Sequence, residues 1–91
     1  MKTRRRQAIV VRVQSRRRHQ LPARLKLATK VNRVLDARGL SQAAAGRLLG
    51  MSQPKVSALR NYKLRGISLE RLLLALAALD QKVEIVVATS A

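Results

Sequence analysis

The sequence predicts a mainly α-helical fold, in which a bundle of about four short helices is followed by one short β-strand. Two observations support this prediction. Apolar residues recur at helical spacing between serine or proline starts and glycine ends, and residues 82–88, KVEIVVA, are rich in β-branched side chains, as strands are. We divide the 91 residues into a basic N-terminal arm at 1–20 with a candidate strand at 8–14, a helical domain at 21–80, and a C-terminal strand at 81–91.

The first helix is expected from Pro22 to Arg38. Proline suits the first turn because its missing N–H needs no partner there, and Gly39 is a suitable C-cap. One apolar stripe at positions i, i+4, i+7 and i+8 is formed by Leu27, Val31, Val34 and Leu35. We expect this stripe to face the core. The other sides are basic, which leaves phosphate contact and plain solvation as alternatives for Arg24, Lys26, Lys30 and Arg33.

The central segment QAAAGRLLGMSQPKVSAL, residues 42–59, predicts two short helices joined by a tight turn. They are expected at Gln42–Leu49 and Gln53–Asn61, each after a serine N-cap, with Gly50 between them where a positive φ costs least. Gly46 is interpreted as a point where the next helix crosses too close for a side chain. The inward-facing residues are Leu49, Met51, Val56 and Leu59. This is the plan of a helix-turn-helix that binds DNA.

A fourth helix is expected from an N-cap at Ser68 to about Leu79. Because its LLLALAAL segment is apolar on nearly all sides, we expect the surplus apolar surface to form the subunit interface of a homodimer. The strand that follows would leave N–H and C=O groups unpaired if it were alone. Its favoured partner is the same strand of a twofold mate, antiparallel. The other candidate is Ile9–Val13 of this or the other chain, which could also add at the edge of the mated strands. The residues assigned to dimerisation are Leu74, Ala78, Val83, Ile85 and Val87.

The net charge is +16, from twenty Lys and Arg residues against four Asp and Glu. A short chain this basic indicates a polyanionic partner, and nucleic acid is favoured over an anionic membrane surface. The longest apolar run, Leu72–Leu79, is too short to cross a bilayer, so we expect no membrane partner and a cytoplasmic location. The arm carries two arginine triplets, Arg4–Arg6 and Arg16–Arg18, which either follow DNA phosphates or remain solvated.

Residues that could support catalysis are sparse. His19 is the single histidine and lies among arginines, and the four acidic residues form neither a carboxylate pair nor a metal-ligand cluster. There is no cysteine. Gly46 and Gly50 lack the Lys-Ser/Thr that a phosphate-binding P-loop requires. We therefore expect no enzyme activity, no metal and no cofactor.

The second helix of the motif is expected to lie in the major groove of double-stranded DNA. Gln53 is the strongest candidate reader, because a glutamine amide can pair bidentately with adenine. The predicted base-reading residues are Ser52, Gln53, Pro54, Ser57 and Asn61. Backbone phosphate contacts are assigned to Gln42, Lys55, Arg60, Lys63 and Arg65. A dimer would place two such helices about 34 Å apart on a palindromic operator.

Residues 25–87 resemble Xre/Cro-type helix-turn-helix antitoxins of the HigA kind, which have a lambda-repressor-like fold. The resemblance rests on LATKVNRVL before the motif, LSQAAAGRLLGMSQPKVSAL as the motif, SLERLLLALAAL after it and VEIVV at the end. It implies a bacterial or phage protein that dimerises, represses its own operon and neutralises a HigB-like toxin of the RelE-like, mRNA-cleaving group. It also implies that Gln42 contacts phosphate and that residues 52–57 read bases.

The sequence departs from this family at three places: Gly46 is usually alanine, Asp80 stands where glycine is common, and the basic arm has no counterpart. Because HigB-like toxins are usually basic RNA-binding proteins, a basic arm fits such a partner poorly. Two alternatives therefore stay open. One is a DNA-binding regulator without a toxin, such as a phage or plasmid repressor, and the other is a protein- or RNA-interaction module.

Overall fold

The computed structural model of the chain describes residues 9–14 and 21–88, with side chains described for residues 21–84. The elements in chain order are β1 (Ile9–Gln14), α1 (Leu21–Arg38), α2 (Gln42–Leu49), α3 (Gln53–Arg60), α4 (Leu69–Ala78) and β2 (Val83–Ala88). The prediction of four helices and a C-terminal strand is confirmed, and the predicted boundaries differ by one residue where they differ at all. His19 and both arginine triplets lie outside the described residues.

A serine precedes each of the last three helices and caps it. Each hydroxyl accepts a hydrogen bond from a backbone N–H three residues later, which satisfies one of the free donors of the first turn. The donor–acceptor distances are 3.1 Å from Ala44 to Ser41, 3.3 Å from Lys55 to Ser52, and 3.1 Å from Arg71 to Ser68. The N-caps expected from the sequence are therefore confirmed.

The helices end through residues in the left-handed conformation. Gly39 and Gly50 follow α1 and α2 with φ of 62° and 66°. After α4 the same role falls to Asp80, whose φ is 61°, and the N–H of Gln81 donates to the carbonyl of Leu76 at 2.9 Å. Asp80 thus takes a conformation that glycine adopts most easily, and aspartate tolerates it better than most residues do.

The core lies where α1 packs against α3 and α4. The large side chains buried almost completely are Leu27, Leu35, Leu59, Ile67, Leu72, Leu76, Leu79, Val31 and Val56. All four inward-facing residues predicted for the central motif are buried, and Val34 packs against the core from the side. Aliphatic burial therefore supplies the main stabilising free energy of this domain.

The outer face of α4 remains apolar and uncovered. Leu74 is 58% exposed, more than any other large hydrophobic side chain in the described part of the chain. Ala77 and Ala78, which lie one turn further along, are exposed as well. The helix therefore carries more apolar surface than the described residues of one chain cover, as its sequence predicted.

The two strands pair with each other in parallel, from Ile9 opposite Val83 to Gln14 opposite Ala88. A parallel pair needs a crossover connection, and here the entire helical domain serves as that connection. The chain thus supplies a partner for β2 itself, through the N-terminal segment that was the less favoured candidate. Antiparallel pairing with a second copy would have to use the edge of β2 away from β1, and it stays a prediction.

Gly46 is buried in α2 at a close approach between backbone segments. A Cβ atom added there would lie 2.7 Å from the carbonyl oxygen of Met51 and 3.6 Å from Cγ2 of Val56. The expectation of a close approach is confirmed, but the nearest atom belongs to the turn before α3 rather than to α3 itself. A backbone carbonyl cannot rotate away as a side chain can, so the position admits no side chain without displacing the turn.

We expect Gly46→Ala to destabilise the domain by about 1–3 kcal/mol, as overpacking does, although alanine is the better helix former in an open site. Urea unfolding followed by circular dichroism measures the change. Arg47→Ala, one residue along on the exposed side of α2, is the matched control and should leave the midpoint nearly unchanged. A Gly46→Ala variant as stable as the parent would contradict the close contact.

Candidate nucleic-acid interface

The first turn of α3 is the most exposed part of the central motif. Ser52, Gln53 and Pro54 are all exposed, whereas Val56 and Leu59 on the opposite side are fully buried. The hydroxyl of Ser52 accepts from the backbone N–H of Lys55, which fixes the direction in which the helix starts. The structure therefore presents the beginning of α3 to solvent on a rigid support.

Two further predicted readers follow Gln53 along the same face, at i+4 and i+8. Ser57 is half-buried, and Asn61 is exposed at the C-terminal cap. The Nδ2 atom of Asn61 donates to the carbonyl of Ser57 at 2.8 Å, so this amide is turned back onto its own helix. Gln53 is therefore better placed than Asn61 to contact a base, because its side chain forms no hydrogen bond of this kind with the residues that the structure describes.

The turn between α3 and α4 carries exposed polar and basic side chains. Lys63 and Arg65 are exposed, and beside them Tyr62, which is 44% exposed, has a φ of 58°. Positive φ is uncommon for a bulky residue. Backbone hydrogen bonds hold it: the N–H of Tyr62 donates to the Leu59 carbonyl at 3.1 Å, and the next N–H donates to the Ala58 carbonyl at 2.8 Å.

Two basic side chains from other elements fasten this turn. Nη1 of Arg24, on α1, donates to the carbonyls of Leu64 at 2.7 Å and Ile67 at 3.2 Å. Nζ of Lys55, on α3, donates to the carbonyl of Gly66 at 3.1 Å. Lys55 was predicted to contact phosphate, but its ammonium group here holds the chain's own backbone. The exposed cations of the turn are Lys63 and Arg65.

Arg60, the other predicted phosphate contact on α3, is also engaged within the chain. Its Nη1 donates to the backbone carbonyl of Asn32 at 3.0 Å and to Oδ1 of the same residue at 3.1 Å. Its Nη2 forms an ion pair with Asp36, which lies one turn further along α1. The guanidinium therefore joins the end of α3 to the C-terminal half of α1.

Asn32 is a buried polar residue that the sequence reasoning did not single out. It is 4% exposed, and its Nδ2 donates to the carbonyl of Leu59 at 3.0 Å, in the last turn of α3. With Oδ1 held by Arg60, no polar atom of its side chain lacks a partner. The sequence did contain a signal. Asn32 lies between Ala28 and Leu35 on the apolar side of α1, and an asparagine buried at such a position is expected to be hydrogen-bonded.

The remaining predicted residues divide by location. Gln42 is exposed in the first turn of α2. Arg71, which the sequence did not single out, donates to the carbonyl of Gly50 at 3.1 Å and so connects the start of α4 to the motif. Of the dimerisation residues, Leu74 and Ala78 are exposed. Val83 is half-buried against the chain's own core. Ile85 and Val87 belong to β2, but their side chains lie outside those described.

Two absences among the described residues concern membrane-spanning helices and metal sites. No helix in residues 21–88 combines the length and apolar character needed to cross a membrane. Within the same described part of the chain, no three His, Cys, Asp or Glu side chains are grouped so that they could hold a metal ion.

The chain is similar to known proteins of the helix-turn-helix class. Residues 9–88 match a family model described as a helix-turn-helix domain, and this span includes both strands as well as the four helices. A solved structure described as an XRE family transcriptional regulator is 56% identical to this chain, with a TM-score of 0.72, over 78% of this chain and 80% of that one. No curated protein matches the chain.

The fold and the exposed start of α3 thus define a helix-turn-helix protein of the DNA-binding class. The chain belongs to the XRE family of transcriptional regulators.

Ser52→Ala should lower the free energy of unfolding by about 1 kcal/mol, because it removes the N-cap of α3. Ser52→Asp should keep the parent's stability, because aspartate caps equally well, yet weaken binding to any DNA duplex by bringing a carboxylate towards phosphates. Thermal unfolding and fluorescence anisotropy with a labelled duplex measure the two effects. A Ser52→Asp variant that binds as tightly as the parent would show that the start of α3 does not approach DNA.

Proposed function

We propose that the chain is a sequence-specific transcriptional repressor that acts as a homodimer and as the antitoxin of a type II toxin–antitoxin module. The observation that carries the DNA-binding part is the first turn of α3, where a fixed serine cap holds Gln53 and Pro54 exposed to solvent. Membership of the XRE family and a net charge of +16 support the same partner.

In this proposal α3 lies in the major groove and Gln53 reads a base edge, most favourably adenine through its amide. Ser52, Pro54, Ser57 and Asn61 line the same approach. Gln42, Lys63 and Arg65 contact backbone phosphates, which fixes the register of the protein on the duplex without selecting a sequence. Lys55 and Arg60 were predicted for the same role, but each also donates to groups of the chain itself, so we propose the other three as the main phosphate contacts.

The proposed dimer uses the uncovered face of α4. Leu74, Ala77 and Ala78 would be removed from water in a twofold interface, and the edge of β2 away from β1 could extend the sheet. Such a dimer would read an inverted repeat whose half-sites are about 34 Å apart. Val83 contributes less than expected, since it already packs against its own core.

The antitoxin role rests on the sequence resemblance to HigA-like proteins. It predicts that the protein represses its own operon and neutralises a HigB/RelE-like toxin. One observation favours the second candidate, a DNA-binding regulator without a toxin partner: the net charge of +16 would repel a basic toxin. Co-expression with the product of the adjacent gene separates the two. Relief of mRNA cleavage and a stable complex support the antitoxin, and an adjacent gene unrelated to RelE-like toxins supports the plain regulator.

DNA binding is tested by selection from a random-sequence duplex pool with the purified protein. We expect an enriched palindromic consensus, and the absence of any consensus would contradict sequence-specific recognition. Gln53→Ala should cost about 1–3 kcal/mol at one position of each half-site while the fold is retained, because one bidentate contact is lost. A parallel selection with this variant measures the effect, and an unchanged consensus would remove Gln53 from the readers.

The dimer is tested on α4. Leu74→Glu should convert a dimer into a monomer, because it places a charge in an apolar interface, without unfolding a chain in which this side chain is 58% exposed. Analytical ultracentrifugation at micromolar concentration measures the change. Leu48→Glu, at an exposed leucine on α2, is the matched control. A parent protein that is already monomeric would contradict the proposed interface.

A further inference from the structure

Arg60 is unusual among the basic residues of the motif because all its described partners belong to one other helix. The guanidinium contacts Asn32 through two oxygens and Asp36 through a carboxylate, and all three acceptors are on α1. Asn32 in turn donates to the carbonyl of Leu59. We call the set Arg60, Asn32 and Asp36 the Arg60 clamp.

The contacts of the clamp run in both directions across the junction of two helices. Arg60 on α3 donates to α1, and Asn32 on α1 donates back to the last turn of α3. A pair of reciprocal hydrogen bonds restricts rotation of α3 about its axis as well as sliding along it, which apolar packing of Val56 and Leu59 alone restricts less, since it is non-directional. The clamp is thus suited to fix how α3 is presented.

We propose that Arg60 is a positioning residue that sets the sequence specificity of DNA binding without contacting DNA. It holds the C-terminal end of α3 against α1, and thereby fixes the angle at which Gln53 and its neighbours meet the base edges. This inference rests on the proposed DNA-binding function. A positioning role means that Arg60 affects discrimination between DNA sequences. A phosphate contact would instead change the affinity for all sequences alike.

The negative charge of Asp36 allows an experiment to distinguish a positioning role of Arg60 from a phosphate contact. Asp36 is 66% exposed in its side chain and neutralises Arg60 directly. If Arg60 contacted phosphate, removing this carboxylate would release the guanidinium and tighten binding to every duplex. If Arg60 positions α3, removing the same carboxylate loosens the clamp and reduces discrimination, although the protein becomes more positive.

The test uses the full chain and two duplexes: the consensus selected by the parent protein and a scrambled duplex of the same composition. Binding is measured by fluorescence anisotropy over a range of salt concentrations, which gives a specificity ratio and a salt slope for each variant. Thermal unfolding reports whether each variant is folded. The variants are Arg60→Met, Arg60→Lys, Asp36→Ala, the charge-matched control Glu84→Ala, and the phosphate-contact control Lys63→Met.

Under the proposal, Arg60→Met lowers affinity for the consensus about tenfold, similar to the loss of one base contact, and leaves the scrambled duplex and the salt slope unchanged. Arg60→Lys also loses discrimination despite its retained charge, because an ammonium group cannot reproduce the planar fork of the guanidinium. Asp36→Ala shifts the ratio in the same direction, and Glu84→Ala keeps the parent's ratio. Lys63→Met lowers the salt slope by about 0.9.

Three results would overturn the proposal: a salt slope that falls with Arg60→Met, tighter binding of both duplexes by Asp36→Ala, or parent-like ratios in both Arg60 variants. If Arg60→Met is unfolded, the specificity ratios of Asp36→Ala and Arg60→Lys test the positioning role instead. Failure of the underlying function has a different signature, because the parent protein would then select no consensus and bind both duplexes equally, and the positioning role would fall with it.

Discussion

Hydrogen bonds from cationic side chains to backbone carbonyls hold the connections of this domain in place. Arg24 and Lys55 fasten the turn before α4, Arg71 reaches the carbonyl after α2, and Arg38 donates to the carbonyl of Leu79 at 2.9 Å. Carbonyls in turns and just after helix ends have no partner within a helix and need donors from elsewhere. A strongly basic chain supplies those donors in abundance, so one property of the composition serves both the fold and the attraction of a polyanion.

The secondary structure of the helical domain could be predicted because its signals are local. Helices start where Ser41, Ser52 and Ser68 accept hydrogen bonds from backbone N–H groups three residues later, and α2 ends at Gly50 because of its positive φ. The residues next to each helix end are therefore enough to predict it. The pairing of β1 with β2 could not be predicted in the same way. Both segments read as strands, but the choice of partner depends on where the helices bring their ends, and no local pattern encodes it.

The candidate site was predictable in part for the same reason. Exposure of Gln53 and burial of Val56 follow from the helical period. The roles of Lys55 and Arg60 do not follow from that period, because the sequence pattern of an outward basic side chain is the same whether it contacts solvent, phosphate or a carbonyl of its own chain. Asn32 did break the apolar pattern, and a buried asparagine of this kind is the clearest sign that a long-range hydrogen-bonded contact lies nearby.

The parallel pairing of the first strand with the last has a consequence for how the molecule is made. Ile9 is translated long before its partner Val83, and all four helices lie between them in the chain. The sheet therefore closes only after α4 has been made, because closing so long a connection is slow compared with local helix formation. During that interval the early strand presents an open edge, a surface on which nascent chains can associate with one another.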